Sequence, residues 1–136
     1  AFVADFIGEC NFFAGTVAER DGAIATVARD DGLRFRIPAV NGVAPGRAVR
    51  IAVRPEWHDV WHPDEVPPAE NAIPGVVRDV VYLGETVHVL VRLPEGADAR
   101  VALRNEGQLT KPVPWRAGDQ VAVGWLPEDC QVLEEE

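Results

Sequence analysis

A chain of 136 residues, 47% of them hydrophobic, can bury roughly two-thirds of its unfolded surface and needs no disulfide or cofactor to hold a core together. It contains no apolar run of 18 residues and no basic, apolar leader, which excludes a membrane-spanning helix and a signal peptide and predicts a soluble, intracellular protein. The formal charge of −9, with Glu134, Glu135 and Glu136 closing the chain, repels phosphate backbones in spite of twelve arginines, so nucleic-acid binding is disfavoured.

In chain order, Phe2, Val3, Phe6 and Ile7 fall on one side of a helix that Gly8 would end. From Asn11 the period changes. Strands are predicted over 12–19, 23–29 and 33–38, separated by the turn pairs Asp21-Gly22 and Asp31-Gly32. In the third, Leu33, Phe35 and Ile37 alternate with Arg34 and Arg36, which reads as a buried face and a solvated one. A Pro-containing loop over 42–46 leads to a strand in which Val49, Ile51 and Val53 alternate with Arg50 and Ala52, ended by Pro55.

Residues 57–72 carry three prolines, two tryptophans and two histidines without a period, and are expected to form a crossing loop whose Trp57 and Trp61 pack on the core. His58, His62 and Asp64 have the residue types of a metal site, but Pro55 and Pro63 bracket too few residues for the helix that would bring them together, so they are weak candidates and no metal is expected. Further strands are predicted over 76–83, 86–93, 99–104, 120–126 and 131–133. His88 is expected to be a half-exposed structural histidine.

Two stretches recur. Residues 11–17, NFFAGTV, match 71–77, NAIPGVV, at an offset of 60; residues 46–56, GRAVRIAVRPE, match 118–128, GDQVAVGWLPE, at an offset of 72. One β-rich unit used twice, with 12 extra residues in the second copy, explains both. The repeat units run about 11–56 and 71–133, with a connector at about 57–70. About nine strands with almost no helix predict an all-β, OB-like small barrel, built from both copies because about 50 residues bury little core alone.

The missing residues carry as much information. There is no serine, and the only lysine, Lys111, is followed by Pro112, so no Gly-Lys-Ser/Thr phosphate loop and no serine nucleophile exist. The absence of methionine predicts a portion of a longer product. Cys10 and Cys130 read as two reduced thiols.

The blocks FVADFIGECNFFAGTV, AVRPEW, NAIPGVV, VYLGETVHVLVRL and VGWLPEDCQVL resemble the C-terminal region of the ATP-binding subunits of spermidine/putrescine-type ABC importers, over about residues 2–133. That resemblance implies a regulatory β-barrel domain called TOBE (transport-associated OB), built of two intertwined tandem repeats, with ATP and magnesium held by an N-terminal domain outside this chain. It implies as partners that ATPase domain, a second copy of the subunit and, indirectly, the transmembrane permease. It also implies a peripheral position on the inner face of the plasma membrane. The motif residues carried over are Asn11, Phe12, Gly15, Arg54, Pro55, Glu56, Asn71, Gly75, Tyr82, Leu83 and Gly84. Read physically they are structural first: Arg54 and Glu56 would share one side of a continuing strand and could form an ion pair, and Gly84 would permit a turn. Trp57, Trp61, Val113 and Trp115 are the apolar candidates for a two-fold contact. Polyamines and related solutes are the cargo this resemblance suggests. A small oxyanion- or metabolite-binding module is the alternative function, although no Gly/Ser/Lys-rich anion nest is visible; a nucleic-acid-binding OB fold ranks below it.

Overall fold

The computed structural model describes residues 10–40, 43–104 and 113–133. Those residues form ten strands: β1 Asn11–Asp21, β2 Ile24–Ala28, β3 Arg34–Pro38, β4 Ala48–Val53, β5 Asp59–Trp61, β6 Asn71–Leu83, β7 Thr86–Arg92, β8 Asp98–Arg104, β9 Gln120–Trp125 and β10 Gln131–Leu133. A single 3-10 turn, Pro55–Trp57, precedes β5. The all-β, OB-like expectation holds; the N-terminal helix lies outside the described residues.

Two antiparallel five-stranded sheets result, ordered β10-β4-β1-β2-β3 and β5-β9-β6-β7-β8. They have one topology, and the strand that closes each comes from the other repeat. The connector after the first repeat supplies β5 to the second sheet, and the end of the second repeat supplies β10 to the first. Register is equivalent as well: Gln131 faces Ala52 and Val132 faces Ile51, as Asp59 faces Gly124 and Val60 faces Val123. This exchange is the physical content of the intertwined repeats.

Each repeated sequence position has a structural cause. A Cβ on Gly15 would lie 2.6 Å from Val27 Cγ1 and 2.7 Å from the Ala28 carbonyl oxygen, and one on Gly75 would lie 2.4 Å from Val91 Cγ1 and 2.8 Å from the Arg92 carbonyl oxygen. Only glycine fits where these strands cross so closely. Two residues further on, the register shifts between Val17 and Glu19 in β1 and between Val77 and Asp79 in β6, a β-bulge that bends the strand at the same point in both copies. The second recurring glycine opens β4 and β9. The Gly46 N–H donates to the Val17 carbonyl at 2.8 Å, and the Gly118 N–H to the Val77 carbonyl at 2.7 Å; both glycines have positive φ, a conformation strained for other residues.

The repeat offset is 60 at Gly15/Gly75, 64 at Gly32/Gly96 and 72 at Gly46/Gly118. Four extra residues therefore lengthen the β6–β7 hairpin, and eight more lie between Gly96 and Gly118. β6 has 13 residues against 11 in β1, and β7 has 7 against 5 in β2.

Among the described residues, compact packing defines two units. One comprises the chain to Arg54, Pro68–Asn71 and the segment from Trp125; the other comprises Pro55–Pro67 and Ala72–Gly124. In the first, Phe13 stacks on Trp125 at 4.8 Å between ring centroids, with Phe35 at 5.8 Å from Trp125, and Val27, Ile37 and Ile51 are wholly buried around them. In the second, Ile73, Val87, Val89, Val91, Val101 and Val123 fill the interior with small branched side chains. The aromatic and aliphatic interiors are alternative solutions for the same sheet topology.

The connector departs from expectation. It is not a loop throughout: Asp59–Trp61 is a strand on the edge of the second sheet. Its three residues satisfy backbone groups of β9 without any hydrophobic alternation long enough to read. β6 also starts earlier than the predicted residue 76, at Asn71, because Pro74 is accommodated within the strand as an exposed residue.

Candidate functional site

A cavity in the second unit has a lining that combines charge of both signs with apolar surface. The 3-10 turn and β5 pack against β8, the opposite edge strand of the same sheet. Around this seam lies a cavity of about 520 Å³, a volume within the range of small-molecule sites. Glu56, Asp59, Thr86 and Arg104 supply its polar lining, and Ala102 and Leu103 its apolar lining. Thr86 and Arg104 are direct cross-strand neighbours at the ends of β7 and β8, so a hydroxyl and a guanidinium start from one rung of the ladder.

His58 also borders the cavity. It is 2% exposed, and its Nδ1 lies 3.2 Å from the Gly124 carbonyl oxygen, which fits a neutral ring donating from Nδ1. Burial pushes its pKa down to about 4, against a smaller upward effect of the Gly124 carbonyl. The imidazole is therefore uncharged at neutral pH, and the positive charge of the lining comes from Arg104.

The weak metal candidates do not assemble. His58 is committed to Gly124, His62 packs its ring against Trp115 at 4.8 Å, and Asp64 is exposed. Among the described residues no three His, Cys, Asp or Glu side chains are grouped as metal ligands would be.

The motif residues separate into several roles. Gly15 and Gly75 are the close crossings described above. Phe12 is half-buried under the Arg50 guanidinium, 4.3 Å from its ring centroid, and Asn11 is half-buried at the start of β1. Asn71 is 4% exposed. Its side-chain amide donates to the Arg36 carbonyl at 2.9 Å and its Oδ1 accepts from the Arg36 N–H at 2.8 Å, so one side chain completes both backbone bonds of a residue on the edge strand β3. Such edges otherwise present unpaired groups.

The expectation that Arg54 and Glu56 share a side of one extended strand fails. β4 stops at Val53, and Pro55 begins a 3-10 turn that rotates the following residue out of strand geometry. Pro55 is buried, Arg54 half-buried and Glu56 exposed. Tyr82 and Leu83, at the far end of β6, are 50% and 54% exposed, and Gly84 turns the hairpin with φ of 70°. Of the apolar candidates for a two-fold contact, Trp115 is 8% exposed, and Trp57, Trp61 and Val113 are half-buried. The large exposed hydrophobics among the described residues include Val76, Tyr82 and Leu83 instead. His88, half-buried in β7, is as expected.

Sequence reasoning missed Asp59, Thr86 and Arg104 as neighbours, because they come from three separate strands that no spacing rule connects. Comparing the two repeats position by position would have drawn attention to two of them. The counterpart of Asp59 is Gln131 and that of Arg104 is Val40, at offsets of 72 and 64.

Comparison with known proteins places this geometry. A TOBE domain model matches residues 51–133. The spermidine/putrescine import ATP-binding protein PotA of Rubrobacter xylanophilus is 35% identical over 97% of this chain and 33% of its own length. PotA of Ruegeria pomeroyi is 32% identical over 97% of this chain and 34% of its own. The chain thus spans about a third of the length of these curated relatives. A solved structure of the cytoplasmic molybdate-binding protein ModG, with molybdate bound, superposes with a TM-score of 0.75 over 90% of this chain and 94% of that one; at 16% identity the likeness concerns the fold. Repeated OB-like sheets with exchanged edge strands, together with the family match, establish that the chain belongs to the TOBE domain family.

Proposed function

We propose that the chain is the regulatory part of an ATP-binding subunit of a polyamine-type ABC importer, and that it tunes hydrolysis performed elsewhere in that subunit. The observation that carries this reading is the match of nearly the whole chain to about a third of PotA proteins whose names describe import ATP-binding subunits. In this reading ATP and magnesium bind outside the chain, which has no Gly-Lys-Ser/Thr segment to cradle phosphates. The partners are the subunit's ATPase portion, a second copy of the subunit, and indirectly the permease. Its place is peripheral, at the inner face of the membrane. No helix among the described residues is long and apolar enough to cross a membrane, so attachment through the transporter complex is the arrangement we favour.

Regulation here is a bias on an equilibrium. A contact that differs between open and closed subunit pairs by about 1–3 kcal/mol changes activity several-fold without touching nucleotide. The test is cargo-stimulated ATP hydrolysis by the assembled importer, with the full-length subunit and with one lacking the region equivalent to 11–133. The expected result is a folded ATPase whose hydrolysis depends less on cargo. Equal basal rates and equal stimulation would reject regulation in favour of a spacer. Molybdate titration of the chain tests the oxyanion alternative, and saturable binding there would favour it.

A further inference from the structure

The two repeats finish equivalent sheet edges in different ways. β3 and β8 are edge strands of the two sheets, and their residues correspond at an offset of 64. In the second repeat the Leu93 N–H donates to the Ala97 carbonyl at 2.8 Å, and further along the same ladder Ala102 lies opposite His88 and Arg104 opposite Thr86. Hydrogen-bonded and non-hydrogen-bonded pairs alternate along an antiparallel ladder, so Ala102 and Arg104 turn their N–H and C=O groups away from β7. The first repeat closes the groups at these places. Asn71 takes both those of Arg36. Pro38, the counterpart of Ala102, has no N–H, and its carbonyl accepts from the Val40 N–H at 3.0 Å. The second repeat keeps an N–H at Ala102 and continues as strand to Arg104, where β3 ends at Pro38. Among the described residues nothing hydrogen-bonds to the outward groups of Ala102 and Arg104. A strand edge in this state is a template for pairing with another segment.

The edge also has space beside it. Ala102, Leu103 and Arg104 line the cavity of about 520 Å³, with the 3-10 turn and β5 on its other side. We propose that this cavity receives an extended peptide of a partner protein, which adds a strand to β8 by bonding its main chain to Ala102 and Arg104. Main-chain bonds supply the affinity in this mode of recognition, and alternate side chains supply the specificity. A peptide residue opposite Leu103 meets an apolar neighbour and is apolar; one opposite Arg104 meets a guanidinium and is acidic, because opposite charges attract across a rung. Three residues of edge span roughly 10 Å, so the recognised segment is short. Glu56 and Asp59, across the cavity, already have partners in the protein and take no part. This inference goes beyond regulation of an ATPase and does not depend on it.

The experiment uses the 136-residue chain and the acetylated, amidated peptide Thr-Val-Glu-Val-Thr, whose palindromic order suits either strand direction. Amide chemical shifts should saturate with a Kd of about 1 mM or tighter, with the largest changes at Ala102 and Arg104 and none at Arg36 and Val40. The same peptide with methylated backbone nitrogens should not saturate. Ala102→Pro installs the first repeat's residue and removes the outward N–H without breaking the ladder to β7; it should weaken binding about fivefold or more, with amide dispersion reporting an intact sheet. Arg104→Gln is the second variant: it should weaken the glutamate peptide about threefold and leave Thr-Val-Gln-Val-Thr unchanged. No saturation up to about 10 mM, equal binding of the methylated peptide, or equal binding by the folded Ala102→Pro chain would each overturn the proposal. So would dilution-dependent shifts of the Ala102 and Arg104 amides without peptide, which would assign the edge to a second copy of the chain. None of these results bears on the regulatory reading, which is measured by cargo coupling in the assembled importer.

Discussion

The two repeats share a scaffold and differ where the scaffold leaves freedom. Gly15 and Gly75, the bulges after Val17 and Val77, and the positive-φ glycines at 46 and 118 occupy equivalent places, since each solves a problem of strand crossing or turning that has few chemical solutions. The hairpin tips, interiors and edge strands have diverged. The β1–β2 end is charged, and Arg20 there donates to the Val43 and Ala39 carbonyls at 2.8 and 3.0 Å, tying the hairpin to the loop before β4. The β6–β7 end is longer and exposes Tyr82 and Leu83. Duplication keeps the geometry that folds the chain and releases the second copy to acquire surface chemistry.

The largest expected effect sharpens the contrast between the strand ends. Trp125 and Val53 are equivalent by position and both wholly buried, but Trp125 stacks on Phe13 and lies beside Phe35. Trp125→Ala should destabilise by about 3–5 kcal/mol and Val53→Ala by about 2 kcal/mol, read from urea unfolding. Equal losses would mean that the aromatic cluster adds nothing to the first unit.

A second contrast is in pH. His58 and Cys130 occupy equivalent positions beside the exchanged strands, and burial shifts both. His58 is lowered to about 4, so between pH 6.5 and 4 the unfolded chain binds a proton that the folded chain refuses. Stability from this group is full above pH 6.5 and is lost as pH falls toward 4, on the order of 3 kcal/mol. Cys130 is raised to about 12, by burial and then by the Asp129 carboxylate, so the unfolded thiol ionises first and stability is lost as pH rises from 9 toward 12. The two repeats should therefore fail at opposite ends of the pH scale. His58→Gln should flatten the acid limb of a plot of Tm against pH, and Cys130→Ala the alkaline limb; if each variant altered the other limb, the assignment would be wrong.

Gly15→Ala and Gly75→Ala test what is shared. Both new methyl groups would meet a backbone carbonyl as well as a valine, so each should destabilise by about 1–3 kcal/mol, and a neutral outcome at either would break the equivalence. Asn71→Ala should remove about 1–3 kcal/mol by leaving the Arg36 N–H and carbonyl without their side-chain partner, with faster amide exchange confined to β3.

Much of this organisation was legible before the structure. Alternation in Val87, Val89 and Val91 and in Phe35 and Ile37 marks strands, and the two glycine-centred blocks mark the duplication, because periodicity and turn chemistry are local. The exchange of β5 and β10 was not legible: three residues carry no readable period, and which ladder an edge strand joins depends on where the chain can travel. Pro74 hid the start of β6 for a related reason, since a proline argues against a strand only where its N–H would be needed. At the seam cavity, Asp59 and Arg104 are ordinary surface charges in sequence, and it is the closing of the sheet that makes them neighbours.

The central structural claim is that each repeat completes the other's sheet, and native-state hydrogen exchange on a chain ending at Leu126 tests it most directly. Loss of β10 should leave β4 as an edge strand, with the largest loss of protection in β4 and β1 and little change in β7 and β8. If protection instead collapsed in β6 to β8, the last strand would belong with its own repeat and the exchange would be wrong.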